Sequence, residues 1–222
     1  ASIGEITAGV AHEINNPVAV IQGNVDVIRQ SLGEDSGPVE TELSLIDRQI
    51  VRIGAIVGKL LQFARPSEFG DFAESVDTVP LINDSLVLVN HQYSKQDIEI
   101  KCDFQSSATV RIDPGEFQQV VINLIINAVQ AMGQSGTLTI TTRDEIRNGM
   151  RGLCLTVADT GPGIPEEQLK SVFDPFLTTK SAEGTGLGLS ISQTIIQRVG
   201  GLITAANQLD GGAIFTVWLP SA

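Results

Sequence analysis

The opening part of the chain carries apolar side chains at alternating spacings of three and four residues, which is the pattern of helices with one apolar face. Glycine and proline between residues 33 and 38 interrupt this pattern, and Arg65-Pro66 ends it. The pattern predicts two long helices joined by a short turn, an antiparallel hairpin over residues 1–66. The apolar positions are Val18, Ile21, Val25, Ile28 and Leu32 in the first helix and Leu43, Ile46, Ile50, Ile53, Val57, Leu60 and Ala64 in the second.

A single hairpin of this kind leaves much of its apolar seam in contact with water. Full burial of one Ile, Leu or Val side chain contributes about 1.5–3 kcal/mol, so the seams favour packing against a second copy. We therefore expect a homodimer in which two hairpins form a four-helix bundle. The same pattern is also typical of a coiled coil whose only role is dimerisation.

After the hairpin, the pattern changes to a mixture of helices and strands. We predict an α/β sandwich over residues 77–222, joined to the hairpin by a hinge linker at residues 67–76, and the chain as a whole is expected to be an α + α/β protein. The predicted helices begin near Pro80 and Asp113, and the predicted strands cover Ile98–Phe104, Thr137–Thr142, Leu153–Ala158, 201–205 and 213–219.

Composition narrows the class of protein. The chain has 222 residues and is 42% hydrophobic, which supports packed cores, and its net charge of −12 argues against a nucleic-acid partner. No apolar run approaches ~18 residues, so we expect no membrane contact within this fragment. Cys102 and Cys154 lie in strand-like runs and are expected to be reduced core residues. The sequence begins within a helical pattern, so we expect a fragment of a longer protein, which could be membrane-anchored, and the reduced cysteines favour a cytoplasmic location.

The first candidate for chemistry is His12, one of two histidines in the chain. A neutral imidazole is a nucleophile that can accept a phosphoryl group. Asn16 lies one helical turn later on the same face, and the adjacent Glu13 is long enough to hold a proton at the ring. His12 is two residues from the seam position Ile14, so we expect it to face solvent. A single histidine on a helix is nevertheless more often a residue without chemistry.

A second candidate is a polar stripe on the apolar helix that follows Asp113. Gln119, Asn123 and Asn127 recur every four residues and so share one face. Carboxamide oxygens suit Mg²⁺, which commonly bridges nucleotide phosphates. The stripe is equally typical of a helix face that simply meets solvent.

The third candidate is a pair of glycine-rich segments. Asp159 ends an apolar strand and is followed by Gly161 and Gly163, so a carboxylate lies beside backbone that can approach a flat ring such as adenine. Farther on, 184–188 open a helix, where backbone N–H groups can bind phosphate. The second segment lacks the Lys-Ser/Thr ending of a Walker A loop. Between them, Phe173 and Phe176 are expected to pack, and 177–183 are expected to form a mobile lid.

Five motifs in this order resemble those of the bacterial sensor histidine kinases. They are His-Glu-Ile-Asn-Asn-Pro at 12–17, Asn-x-x-x-Asn-Ala at 123–128, Asp-x-Gly-x-Gly at 159–163, the phenylalanine pair at 173–176 and Gly-Thr-Gly-Leu-Gly-Leu at 184–189. The last four resemble the nucleotide-binding fold that histidine kinases share with DNA gyrase, mismatch-repair ATPases and a heat-shock chaperone. The resemblance implies that residues 77–222 are an ATP-binding domain.

The resemblance also implies roles for individual residues. His12 would be the phosphoacceptor, Glu13 its base or orienting carboxylate, and Asn16 the residue that positions water for dephosphorylation of a partner. Asn123 and Asn127 would hold Mg²⁺, and Gln119 departs from the acid that many members carry, which disfavours a general-base role there. The implied ATP contacts are Asn123, Asn127, Asp159, Gly161, Gly163, Lys180, Gly184, Thr185, Gly186, Leu187 and Gly188.

The activity implied by the resemblance is ATP-dependent autophosphorylation of His12, followed by phosphotransfer to an aspartate of a response regulator receiver. Phosphatase activity toward that regulator is also expected, and the setting would be two-component signal transduction. Two other functions are compatible with parts of the sequence. One is a gyrase-like ATPase switch, and the other is a scaffold that binds ATP or only dimerises.

Overall fold

The computed structural model describes residues 3–64, 74–94, 96–177 and 186–222. The chain divides into two compact units, Ala1–Ser67 and Glu68–Ala222. In the described part of the chain, no helix combines the length and the apolar character needed to cross a membrane.

The first unit is the predicted helical hairpin. Helix α1 spans Ile3–Leu32 and continues through Pro17, a 3-10 helix covers Gly33–Val39, and α2 spans Glu40–Ala64. Val25, Leu43 and Val57 are buried between the helices. Other seam residues remain outside this small core, and Ile21, Ile28 and Ile46 are 46%, 45% and 39% exposed.

An ion-pair cluster joins the two helices near the turn. Arg29 Nη2 of α1 donates to Asp47 Oδ2 at 2.8 Å and to Glu40 Oε1 at 3.2 Å, both on α2. Gln22 Nε2 donates to the other oxygen of Asp47 at 3.2 Å. Since these contacts link residues far apart in sequence, they fix the pairing of α1 with α2 where the hydrophobic core is thin.

The second unit begins with a short strand that the sequence analysis placed in the linker. Glu74–Val76 form β1, which pairs antiparallel with β3, Val110–Ile112. The predicted linker, 67–76, therefore extends too far at its carboxyl end. A strand of three residues is too short to show the alternation that would have revealed it. Helix α3 spans Thr78–Tyr93 and begins two residues earlier than predicted. Asp77 caps it by accepting from Val79 N, and Pro80 lies in the first turn, where a missing N–H costs nothing.

A five-stranded sheet carries the rest of this unit. Its strand order is β2-β4-β5-β7-β6, with β2 parallel to β4 and the other neighbours antiparallel. The predicted α/β sandwich is confirmed, with α4 and α6 packed on the sheet and α3 packed on α4. The strands are β2 (Asp97–Phe104), β4 (Ser135–Arg147), β5 (Met150–Asp159), β6 (Leu202–Asn207) and β7 (Ala213–Pro220), and the remaining helices are α4 (Pro114–Met132), α5 (Glu166–Leu169) and α6 (Gly188–Arg198).

Two details of the sheet differ from expectation. β4 and β5 are longer than predicted because Asn148 and Gly149, at φ of 50° and 79°, make a tight hairpin turn beyond the buried positions. Cys102 is exposed on the edge strand β2, so its predicted place in the core was wrong, whereas Cys154 is buried. Burial is the main cause that raises the pKa of Cys154 to about 12, so this thiol stays protonated at neutral pH.

Candidate functional site

Asp159 lies at the end of the central strand β5 and is only 2% exposed. Its Oδ1 accepts hydrogen bonds from Gly161 N at 2.8 Å and from Ala213 N at 3.3 Å. Strands β4 and β7 flank β5 on both sides, which accounts for the burial. The carboxylate is thus oriented by backbone donors in a site from which most water is excluded.

The loop that follows Asp159 and the adjacent turn between β6 and β7 are packed too closely for side chains at three glycines. A Cβ on Gly161 would lie 2.9 Å from Asp159 Oδ1 and 3.2 Å from the carbonyl carbon of Ala131. Gly163 has a φ of +78°, and Gly212 has a φ of +91° and lies so close to the Asp159 carbonyl that a Cβ would clash with it. The packing of the protein itself therefore requires glycine at these positions.

The turn between β6 and β7 supports this loop, and the sequence analysis did not identify it. Gln208 Nε2 donates to Asp159 O at 2.7 Å, and Asn207 forms two hydrogen bonds with Ile164. In the sequence, Gly211-Gly212 lies between two segments of alternating polarity, and this pattern predicts a turn. It does not predict that the turn contacts a loop about 50 residues earlier.

The polar stripe on α4 divides into residues with different contacts. Asn123 Nδ2 donates to Gly188 O at 3.1 Å and to Ser192 Oγ at 3.3 Å, so this side chain ties α4 to the start of α6. Asn127 is partly exposed, and no described residue forms a hydrogen bond with its carboxamide. Asn127 therefore has an amide oxygen available to a ligand, while Asn123 also has a structural task.

The start of α6 is held by the phenylalanine segment. Phe176 N donates to Gly186 O at 3.0 Å, and Gly186 has a φ of +66° with Phe176 backbone 2.5 Å from where its Cβ would be. Phe176 is 63% exposed with a φ of 66°, so its predicted packing role was wrong. Phe173 does pack, edge-to-face against Phe215 with ring centroids 6.4 Å apart.

Helix α6 begins at Gly188, directly after the buried Leu187. The first N–H groups of a helix lack partners within the helix and attract anions, so this end can bind phosphate. Lys180, Gly184 and Thr185, and the predicted lid apart from Leu177, lie outside the described residues.

Helix α4 connects the two halves of the site. Its Ala131 packs against the loop after Asp159, its Asn123 contacts Gly188, and Asn127 lies between them. Ala131 and Asn123 are about 12 Å apart along the helix axis. That length suits a ligand with a flat base at one end and phosphates at the other.

The assignment of a metal site to Asn123 and Asn127 stays a prediction. Among the residues that the structure describes, no group of three or more His, Cys, Asp or Glu side chains could hold a metal by itself. Mg²⁺ usually takes only one or two protein oxygens and completes its shell with water and substrate phosphates. The amide oxygen of Asn127 fits such a site.

The other candidate group lies on α1. Glu13 and Asn16 are exposed, and Asn16 is one turn beyond His12. The side chain of His12 lies outside the described part of the structure. The expectation that it faces solvent therefore stays a prediction.

Comparison with known families accounts for both units. Residues 2–68 match the His Kinase A (phospho-acceptor) domain, and residues 112–222 match the histidine kinase-, DNA gyrase B-, and HSP90-like ATPase family. The chain belongs to the sensor histidine kinases. The resemblance noted from the sequence motifs is therefore confirmed.

Individual histidine kinases are similar over almost the whole chain. Sensor histidine kinase ZraS of Escherichia coli (strain K12) is 35% identical over 99% of this chain and 46% of its own length. The histidine kinase ThkA in complex with the response regulator TrrA has a TM-score of 0.67 at 30% identity, covering 99% of this chain and 62% of that one. Full-length ShkA in complex with AMPPNP has a TM-score of 0.81 at 24% identity, covering 100% and 46%, and supports the fold. This histidine kinase chain thus spans less than half the length of ZraS.

Proposed function

We propose that this chain is the catalytic core of a two-component sensor kinase that transfers the γ-phosphoryl group of ATP to His12. The observation that carries the proposal is the continuous site along α4, from buried Asp159 to the start of α6, in a chain whose first unit matches a phosphoacceptor domain. In this assignment, residues 1–66 serve dimerisation and phosphotransfer, residues 74–222, from β1 onward, bind ATP, and residues 67–73 link them. We place the activity in the cytoplasm, where ATP is supplied.

Asp159 reads the base of the nucleotide in this proposal. Its buried carboxylate accepts a hydrogen bond from the adenine amino group, and we assign Gly161 and Gly163 to the backbone that lies beside the ring. A charge-assisted hydrogen bond in a buried site contributes about 1.5–3 kcal/mol, which suffices to select adenine over bases that lack the amino donor.

The phosphates are assigned to the other end of the site. Backbone N–H groups at Gly186, Leu187 and Gly188 bind them, and we extend this loop to Gly184, Thr185 and Lys180, whose ammonium would contact the γ-phosphate. Asn127 and Asn123 would hold Mg²⁺, which would offset the negative charge of the phosphates. Because Asn123 Nδ2 already bonds Gly188 O, its oxygen is the atom left for a metal or a metal-bound water.

The transfer step needs a nucleophile and a proton acceptor. A ring nitrogen of His12 forms a bond to the γ-phosphorus as the bond between that phosphorus and the β–γ bridging oxygen breaks, and ADP leaves. Glu13 accepts or orients the proton on the ring. The phosphoryl group then passes to an aspartate of a response regulator receiver. We further propose that Asn16 positions the water that later dephosphorylates this receiver. The complex of ThkA with TrrA supports a partner of this class.

Incubation with γ-labelled ATP tests the proposal. Label that is stable to alkali, labile to acid and lost in both His12→Gln and Asp159→Asn identifies a histidine kinase that uses this nucleotide site. Release of free phosphate with no labelled protein would instead identify an ATPase switch. A chain that neither binds nor consumes ATP would be a scaffold.

A further inference from the structure

The turn between β6 and β7 contacts both ends of the loop assigned to the base, which runs from Asp159 to Ile164 and is called the base loop here. At the first end, Gln208 Nε2 donates to Asp159 O at 2.7 Å and Ala213 N donates to Asp159 Oδ1 at 3.3 Å. At the second end, Asn207 makes the contact through two hydrogen bonds with Ile164.

Asn207 uses both atoms of its carboxamide on one residue. Ile164 N donates to Asn207 Oδ1 at 2.7 Å, and Asn207 Nδ2 donates to Ile164 O at 2.7 Å. Two hydrogen bonds from one planar group resemble the paired backbone hydrogen bonds between adjacent antiparallel strands. They therefore fix the orientation of Ile164 as well as its position. Asn207 is exposed and does not support the hydrophobic core, which separates its role from that of a packing residue.

Asn207 also lies against the backbone within the base loop. A Cβ on Gly163, whose φ is +78°, would be 2.9 Å from Asn207 Oδ1. The carboxamide thus occupies the space that any side chain at Gly163 would need. The conformation of the loop between Asp159 and Ile164 is set by this contact together with the two hydrogen bonds.

We propose that Asn207 is a positioning residue for the nucleotide base: it holds the base loop in the conformation that receives adenine. The proposal rests on the nucleotide-binding function assigned above. Asn207 contacts the loop and not the phosphate end of the site, so its loss weakens ATP binding without slowing phosphoryl transfer in the bound complex. The substitution therefore separates the KM for ATP from kcat.

Two substitutions at Asn207 test this role in the full chain. Asn207→Ala removes both bonds, and Asn207→Asp keeps the size and the acceptor but turns a second acceptor toward Ile164 O. We expect each to raise the KM for ATP and the Kd for ADP by about five- to tenfold, as the loss of one to two hydrogen bonds implies, with kcat changed less than about twofold. Leu209→Ala is the matched control, because Leu209 is in the same turn and fully exposed.

Each result of these measurements either supports the role of Asn207 or overturns it. A rise in KM and Kd in both Asn207 variants, with kcat retained and with Leu209→Ala like the parent chain, supports the role. An unchanged KM, a parallel loss of kcat, parent-like affinity in Asn207→Asp, or the same rise in Leu209→Ala overturns it. The parent chain and Asp159→Asn are measured alongside. Failure of the parent to bind ATP, or unchanged affinity in Asp159→Asn, would defeat the nucleotide-site assignment itself and not merely the role of Asn207.

Discussion

At the scale of single residues, Asn16 is an exposed side chain whose proposed role can be tested separately from that of His12. It lies one turn from His12 on α1 and is exposed, so it can address a group bound to that residue without being the nucleophile. A carboxamide that positions water should matter for hydrolysis and not for transfer from ATP.

We therefore expect Asn16→Ala to slow dephosphorylation of a phosphorylated receiver by about tenfold or more while His12 is still labelled at close to the parent rate. The comparison uses labelled receiver for the first activity and γ-labelled ATP for the second. Asn24→Ala, two turns farther along the exposed helix, serves as the control. Equal loss of both activities in Asn16→Ala would show that Asn16 has no separate role.

A different residue-scale effect is expected in the core of the sheet. Thr142 is 0% exposed, and its Oγ1 has no hydrogen-bond partner among the residues described. Valine has nearly the same shape and no polar atom to desolvate, so Thr142→Val should raise the free energy of unfolding by about 1 kcal/mol.

Denaturant unfolding of the full chain can follow this change through Trp218, the single tryptophan, which is buried in the same sheet. Thr141→Val is the matched control, since Thr141 Oγ1 is bonded to Thr156 Oγ1 at 2.6 Å and loses that bond. We expect no stabilisation there. If both variants behave alike, the unpaired hydroxyl of Thr142 costs nothing.

At the scale of elements, the hairpin is held by charge as well as by its apolar seam. The hydrogen bond from Arg29 is the largest cause that lowers the pKa of Asp47, followed by the bond from Gln22. A carboxyl whose pKa is lowered by folding stabilises the folded state above its unfolded pKa and loses that contribution as pH falls through the folded pKa. The link between α1 and α2 should thus weaken below about pH 4.

Thermal melts followed by circular dichroism between about pH 6 and about pH 3 test this link. Asp47→Asn should lower the melting temperature of the hairpin slightly at neutral pH, and the difference from the parent should shrink as the pH falls toward the lowered pKa of Asp47. Glu42→Gln removes an acid on α2 for which no ion pair is recorded in the described structure, and it should leave the pH dependence unchanged. A difference that persists at low pH would assign the effect to packing.

Around the nucleotide site, the helix α4 could be predicted from local sequence, but the contacts between elements could not. α4, with its Asp113 cap and Pro114 in the first turn, was predicted correctly because the signals are local. The tie from Asn123 to Gly188 and the support of Asp159 by the turn between β6 and β7 join residues about 50 or more positions apart. No local pattern contains such pairs.

For the whole molecule, the apolar surface that the hairpin exposes bears on its assembly. Large apolar residues remain exposed on both helices of an isolated chain: Val20, Ile21, Val27, Ile28, Leu45, Ile46, Val51 and Ile56. Such a surface favours a second copy, in agreement with the dimer that we infer.

Ile28→Glu should therefore weaken dimerisation by about a hundredfold or more, because a carboxylate at the seam would be buried without a partner. Sedimentation analysis over a concentration series measures the change. Gln30→Glu adds the same charge at an exposed polar position of α1 and should leave the dimer intact. A dimer unaffected by Ile28→Glu would place the interface elsewhere.

The sequence by itself determined the two-unit order, the helical hairpin, the main helix of the nucleotide unit and the identity of the family, since each rests on local periodicity, caps or short motifs. Tertiary structure alone decided that Phe173 packs while Phe176 is exposed, that Cys102 lies at an open edge, and that Asn207 and Gln208 brace the base loop. The physical reason is that burial and hydrogen-bond partners depend on which distant segments the fold brings together, and spacing along the chain does not record that.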